Sequence, residues 1–120
     1  MDILIKKSKI NGKGIFANKD FKKGEVIIKW NPSELTEDKV NKSTKKYLIK
    51  IKGKIFLMSS PERYMNHSCE PNAYEDTNNF QDIALRNIKK GEEITVDYGK
   101  NNYGDKMKCN CKSKDCRKYI

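Results

Sequence analysis

The chain has 120 residues, the size of a single domain, and a chain of that length removes only about two-thirds of its unfolded surface from water. Lysine and arginine outnumber aspartate and glutamate by 26 to 16, a net charge of +10, so the surface attracts polyanions; with 36% hydrophobic and 35% charged residues the composition fits a soluble domain with one modest core. No apolar run approaches the roughly 20 residues needed to cross a bilayer, which excludes a helical span.

The N-terminus, MDILIKKSKING, has an acidic second residue and no apolar stretch ahead of a small-residue cleavage site, so it does not have the pattern of a signal peptide. This predicts an intracellular, reducing setting in which the four cysteines are thiolate ligands or free thiols rather than two disulfides. KINGKGIFA places an Asn-Gly turn between apolar flanks and predicts a hairpin. FKKGEVII, residues 21–28, predicts a turn feeding a strand, and IKKGEEIT, residues 88–95, repeats the same pattern. Between them NPSELTEDKVNKSTKK is polar, reads as a surface insert and predicts a short helix capped by Ser33. KYLIKI, KIFLM and DIALRNI supply further short strands. No linker or low-complexity tract divides the chain, so a single domain of many short strands is expected.

The chemistry is concentrated in two places. MNHSCEPNAY, residues 65–74, holds the single histidine, His67, and one of the four cysteines, Cys69. CNCKSKDC, residues 109–116, holds the other three, Cys109, Cys111 and Cys116, in a C-x-C-x4-C cluster. A closed structural zinc site takes four ligands in a tetrahedron, and the upstream cysteine completes the set. The alternative, unligated cysteines packed as small apolar residues, fits poorly with Lys112, Lys114 and Asp115 in the same segment. Ligation of this kind contributes on the order of 10 kcal/mol to folding and would pin the tail to the turn around Asn66 and Asn72.

GKGIFA, RYMNHSCEPN, GEEITVDYG and the terminal cysteine cluster stand in the order and spacing of the SET-domain protein-lysine methyltransferases that carry a post-SET zinc segment, and the chain resembles that family from about residue 10 to its end. The resemblance implies a mainly β, β-clip fold of short strands, in which the C-terminal strand passes under a preceding loop as a pseudoknot. It also implies a SET domain over 1–104 and a zinc-bound post-SET tail over 105–120, forming one structural unit. In the family the Asn-His turn holds S-adenosylmethionine, which leaves the reaction as S-adenosylhomocysteine. Carried over, this assigns cofactor contact to Asn66 and His67, with Arg63 and Tyr64 alongside, backbone contacts from Lys13 and Gly14, and Tyr119 over the adenine ring. Tyr64 stands where the family usually has phenylalanine.

Tyr98 matches the catalytic tyrosine, and Tyr47 is the candidate for the second tyrosine of the lysine channel. Methyl transfer needs a neutral amine, and a free lysine of pKa about 10.4 is only about 0.1% neutral near pH 7.4, a penalty of roughly 4 kcal/mol. Desolvation in a narrow channel and the neighbouring sulfonium both lower that pKa, and a fixed channel removes the orientational cost. The Tyr98 phenol is then a positioning dipole rather than a strong base. Asp97 is expected to serve architecture. Val96 stands where many relatives have phenylalanine or tyrosine; with no hydroxyl and less bulk it favours higher methylation.

Glu70, Glu75, Asp76 and Asp82 lie between Tyr64 and Leu85 with no lysine or arginine, an acidic island that would steer a lysine-rich substrate such as a histone tail. Residues 100–120 carry seven basic and two acidic residues and could rest on DNA bound by the substrate protein. A histone substrate would place the protein in the nucleus, at chromatin, and with little room for recruiting domains a homodimer could complete the site. The competing readings are a lysine methyltransferase of a non-chromatin basic protein and a non-catalytic, zinc-clamped module that binds nucleic acid.

Overall fold

The computed structural model describes residues 2–99, 109, 111, 113, 114, 116 and 117. Among them the regular structure consists of ten short strands and three single 3-10 turns, with no α-helix. Strands β1 (Ile3–Lys7) and β2 (Lys13–Ala17) form the expected antiparallel hairpin. Its loop spans residues 8–12, closed by a 2.7 Å bond from the Ser8 amide to the Gly12 carbonyl. Gly12 takes the left-handed conformation, φ +44°, that this turn needs.

Strands β3 (Val26–Lys29), β8 (Ala73–Asp76) and β9 (Gln81–Ala84) form a sheet with β9 central, and β4 (Ser33–Leu35), β5 (Leu48–Ile51) and β6 (Lys54–Leu57) form another with β6 central. The helix expected at Ser33 is absent: Ser33, Glu34 and Leu35 instead pair with Leu57, Phe56 and Ile55. An open edge of β6 offers three residues a ladder, whereas the single helical turn that follows, Glu37–Lys39, has no side-chain cap bond.

The two similar segments meet in space. Phe21 and Ile88, the apolar residues that open them, exchange a pair of backbone bonds of 2.8 Å. Gly24 and Gly91 both sit at positive φ, 88° and 97°, so each Lys-Lys-Gly-Glu run makes the same kind of turn and releases the chain into β3 or β10 (Glu93–Val96).

Strand β10 decides the architecture. It runs antiparallel to β2, pairing Ile94 with Ile15, and parallel to the two-residue β7 (Asn66–His67), pairing Thr95 with Asn66 and Val96 with His67. Asn72 closes this arrangement: its amide donates to the Glu93 carbonyl and its side-chain oxygen accepts the Thr95 amide, each at 2.9 Å. Strand β10 is thus inserted between β2 and β7 and tied to the 66–72 turn through Asn72. Phe21, Ile15, Ile88, Ile94 and Val96 are the largest fully buried side chains, so the core lies where β2 and β10 meet the Phe21–Ile88 bridge. Burying each such side chain is worth about 1.5–3 kcal/mol. No helix among the described residues is long and apolar enough to cross a membrane.

Candidate active site

A pocket opens beside the parallel pair of β7 and β10, and its lining includes Tyr47, Met58, Glu62, Arg63, Met65, Glu75, Asp82, Val96 and Tyr98. The structure therefore brings together Tyr98, Val96 and Tyr47 with Arg63, Glu75 and Asp82, all singled out from the sequence. The Tyr98 ring packs against the core and lies tilted against the His67 ring, 5.4 Å between centroids. Its hydroxyl donates to the Met65 carbonyl. Burial, reinforced by the carboxylates of Glu75, Asp82 and Glu93, holds this phenol well above its ordinary pKa, so it is a neutral hydrogen-bonding group.

His67 is held at both ring nitrogens. Its Nδ1 accepts the Tyr98 backbone amide at 2.9 Å, which leaves the proton on Nε2, 3.3 Å from the Cys69 sulfur. Burial lowers the pKa of this ring; Asp97 raises it and Arg117 lowers it further. Arg117 Nη2 approaches the same Nε2 at 3.3 Å, but the nitrogen already carries a proton, so the firm partner of the guanidinium is Asp97, at 2.6 Å. Asp97 thus faces the tail, the architectural place expected for it.

Asn66 is buried and its side-chain amide is committed within the protein, donating to the carbonyls of Asn11 at 3.1 Å and Lys13 at 3.0 Å and to Glu93 Oε2 at 2.9 Å. Glu93 also accepts the Ser8 hydroxyl. A Cβ on Gly14 would collide with the Glu93 carboxylate and crowd the Asn66 amide, so this glycine gives Glu93 room to tie the hairpin loop to the Asn66 turn. Arg63 lies 5.0 Å over both the Tyr47 and Tyr64 rings and donates to the Tyr64 hydroxyl at 3.0 Å. Lys13 Nζ also lies over the Tyr64 ring, 5.9 Å from its centroid. Two cations thus approach one aromatic ring.

The cysteines expected to act together do so in space. The sulfurs of Cys69, Cys109, Cys111 and Cys116 all lie within 4.8 Å of one another, and Cys69 and Cys109 are 3.9 Å apart. Metal–sulfur bonds near 2.3 Å put the corners of a tetrahedron about 3.8 Å apart, so the set can hold a metal ion. Burial, together with the neighbouring sulfurs, pushes the Cys109 thiol up to about 12. Burial also opposes ionisation of Cys111, but bonds to its sulfur from the Cys69 backbone, Ser113 and Cys109 outweigh it and bring this thiol down to about 5. The Arg117 amide donates to the Cys69 sulfur at 3.2 Å. Tyr119 and most of the basic tail lie outside the described residues.

Sequence reasoning missed Glu93, Asn72, Arg117 and the Trp30–Asp82 pair. Glu93 had a signal: it stands where the sister segment has Val26, a charge at the apolar start of a strand. The others act through contacts 20 or more residues away in the chain, with no local pattern.

Residues 12–99 match the model of the SET domain family. The chain is 33% identical to the histone-lysine N-methyltransferase trithorax of Drosophila virilis, over 95% of this chain but only 3% of that protein's length. Its fold superposes on a candidate histone methyltransferase of Plasmodium falciparum at 29% identity and a TM-score of 0.72, covering 82% of this chain and 94% of that one. It also superposes on ctPRC2 in an autoinhibited conformation bound to S-adenosylmethionine, at 23% identity and a TM-score of 0.69, covering 86% of this chain and 16% of that one.

Proposed function

Because this chain belongs to the SET domain family, we propose that it is an S-adenosylmethionine-dependent protein-lysine N-methyltransferase acting on a histone or a similarly basic protein tail. The observation that carries this reading is the position of Tyr98, which lines a pocket together with Val96 and Tyr47, directly beside the Asn66–His67 turn. The relative named for histone-lysine methylation and the structural neighbour bound to S-adenosylmethionine support it.

S-adenosylmethionine, when bound, supplies a methyl group on a positively charged sulfur. The residues proposed to hold it are Asn66 and His67 in the turn, Lys13 and Gly14 on β2, Arg63 and Tyr64, with Tyr119 closing over the adenine. The donor set fits: Lys13 and Arg63 both lie near the Tyr64 ring and offer two cations to a carboxylate. Asn66, whose Nδ2 is already taken, orders this region by fixing the hairpin loop against the turn. The substrate lysine enters past Tyr47, whose ring lies edge-on to Tyr64 at 6.4 Å. Met58, Met65 and Val96 exclude water from the inner end. Tyr98, held by His67 at its amide and by Met65 at its hydroxyl, orients the amine without ionising. Val96 offers no donor that would hold a water against a methylated amine, which supports di- or trimethylation.

The metal is proposed to be zinc, held by Cys69, Cys109, Cys111 and Cys116, with a SET domain over 1–104 and a post-SET segment over 105–120. Zinc there is a cross-link that joins the tail to the turn carrying Asn66 and His67. Incubation with tritiated S-adenosylmethionine and recombinant histone H3, beside an extract of basic proteins, tests the reading. It predicts label on lysine. Label only on a non-histone protein would move the substrate class, and no transfer to any basic protein would overturn the reading.

A further inference from the structure

The pocket beside Tyr98 contains carboxylates where lysine chemistry alone would call for apolar walls. Glu75 on β8 and Asp82 on β9 are directly opposed across the antiparallel pair, so their side chains leave the sheet on the same face, with Cβ atoms about 5 Å apart. Both line the pocket with Tyr98 and Val96. Asp82 is only 2% exposed. One of its oxygens accepts the Trp30 indole N–H at 2.9 Å, a bond that fixes the carboxyl from the core side. Ile28 on β3 is its partner on the other flank, so Asp82 is sandwiched at the centre of its sheet.

We propose that the Glu75–Asp82 pair is the proton acceptor for the substrate lysine, taking the proton from its ε-ammonium inside the pocket before methyl transfer. The inference rests on the methyltransferase reading given above. An N–H bond of the ammonium breaks, its electron pair stays on nitrogen, and an O–H bond forms on the carboxyl pair; after transfer and product release the pair returns the proton to water at the pocket mouth.

The physical case has three parts. Two directly opposed carboxyls repel one another when both are ionised, which favours one proton on the pair while an acceptor remains. Burial pushes the Asp82 carboxyl well above its usual range; the Trp30 bond works against that, and Glu75 and Glu62 add to it. Such an acid is far better matched to an amine than an exposed aspartate. Finally, an ammonium facing a carboxylate in a desolvated cavity pays for two buried charges, whereas a neutral amine facing a carboxylic acid carries none. The neutral form is the one that attacks the methyl group. The other ionisable groups around this pocket are Glu62, Lys46, Arg63, Tyr47 and Tyr98.

The test compares the zinc-loaded wild type with Asp82→Asn and Glu75→Gln on recombinant histone H3, from pH 7 to pH 10. Asparagine keeps an oxygen for the Trp30 N–H and removes one carboxyl of the pair. Asp82→Asn is expected to lower kcat at least tenfold at pH 7.5 with cofactor Kd unchanged, and the gap should close to about threefold near pH 10, where more amine is neutral. A peptide carrying γ-thialysine, a less basic amine, should narrow the gap at pH 7.5 in the same way. Glu75→Gln, at a half-buried position and so a milder change to the fold, should follow the same pattern more weakly. An Asp82→Asn rate within twofold of wild type at pH 7.5 overturns the proposal, as does a loss unchanged at high pH and with thialysine, which would mark a structural role. A wild type that labels no basic protein would overturn the methyltransferase reading itself, and this inference with it.

Discussion

The strand scaffold and the C-terminal cysteine segment meet at His67 and are held by different forces. In the scaffold, Ile15 and Ile94 face each other across β2 and β10 with no exposed surface, and Ile88 and Phe21 are nearly as deeply buried. The cysteine segment has one buried residue among those described, Cys109, and it holds to the scaffold through sulfurs and through the Arg117–Asp97 pair, both partners 45% exposed. An exposed pair of that kind is worth about 0–1 kcal/mol, so the clustered sulfurs are the stronger tie the described residues offer. The lesson is a division of labour: apolar burial builds the strand pairing that carries Tyr98, and four sulfurs able to hold a metal ion gather beside the turn carrying Asn66 and His67. His67 spans the two, with one ring nitrogen on the Tyr98 amide and the other on Cys69.

The largest expected effect separates the two regions outright. Metal removal by a chelator, or Cys116→Ser, should abolish methyl transfer, at least 100-fold, and weaken S-adenosylmethionine binding. The strand signal in circular dichroism should survive, because no scaffold core residue is a ligand. Loss of that signal on chelation would break the distinction. Next comes the reverse perturbation: Ile94→Ala should cost about 3 kcal/mol of global stability, read as a shift in the urea midpoint. Protein that remains folded should still bind one zinc per chain by metal analysis. A smaller effect sharpens the account inside the pocket. Val96→Tyr should move the product from di- and trimethyl-lysine towards monomethyl-lysine, because the new hydroxyl can hold a water where further methyl groups would sit. Time-resolved mass spectrometry of one peptide decides it, and a wild type that stops at monomethyl-lysine with cofactor in excess would remove Val96 from the argument.

The sequence exposed the parts of this molecule that rest on local pattern. Four thiols, one histidine and two asparagines in fixed spacing pointed to a clamp and a turn, and the cysteine sulfurs do gather. The paired Lys-Lys-Gly-Glu turns were readable as well, since each needs a glycine at positive φ. Strand β4 was misread because its pairing partner, β6, lies some 20 residues further along and nothing within Ser33–Leu35 announces it. Strand β8 was hidden in the acidic stretch: Ala73 faces the core, but Tyr74 is exposed and Glu75 turns into the pocket, so its alternation does not look apolar. Asn66 was singled out for cofactor contact, yet its amide bonds to Asn11, Lys13 and Glu93 exist only because β2, β7 and β10 converge. The acidic island was read as a steering surface; that two of its members enter the pocket follows from the β8–β9 register alone.

The central claim is that Tyr98 positions the amine through its hydroxyl while its ring and backbone serve the fold. Tyr98→Phe keeps the ring against His67 and the amide on His67 Nδ1, and removes one hydrogen bond to the Met65 carbonyl, a change worth about 1 kcal/mol in stability. Single-turnover methylation of histone H3 by this variant, measured beside its affinity for S-adenosylmethionine, is the most direct test. The account predicts a transfer rate at least 100-fold below wild type with cofactor Kd within twofold; a phenylalanine variant that transfers methyl at the wild-type rate would contradict it.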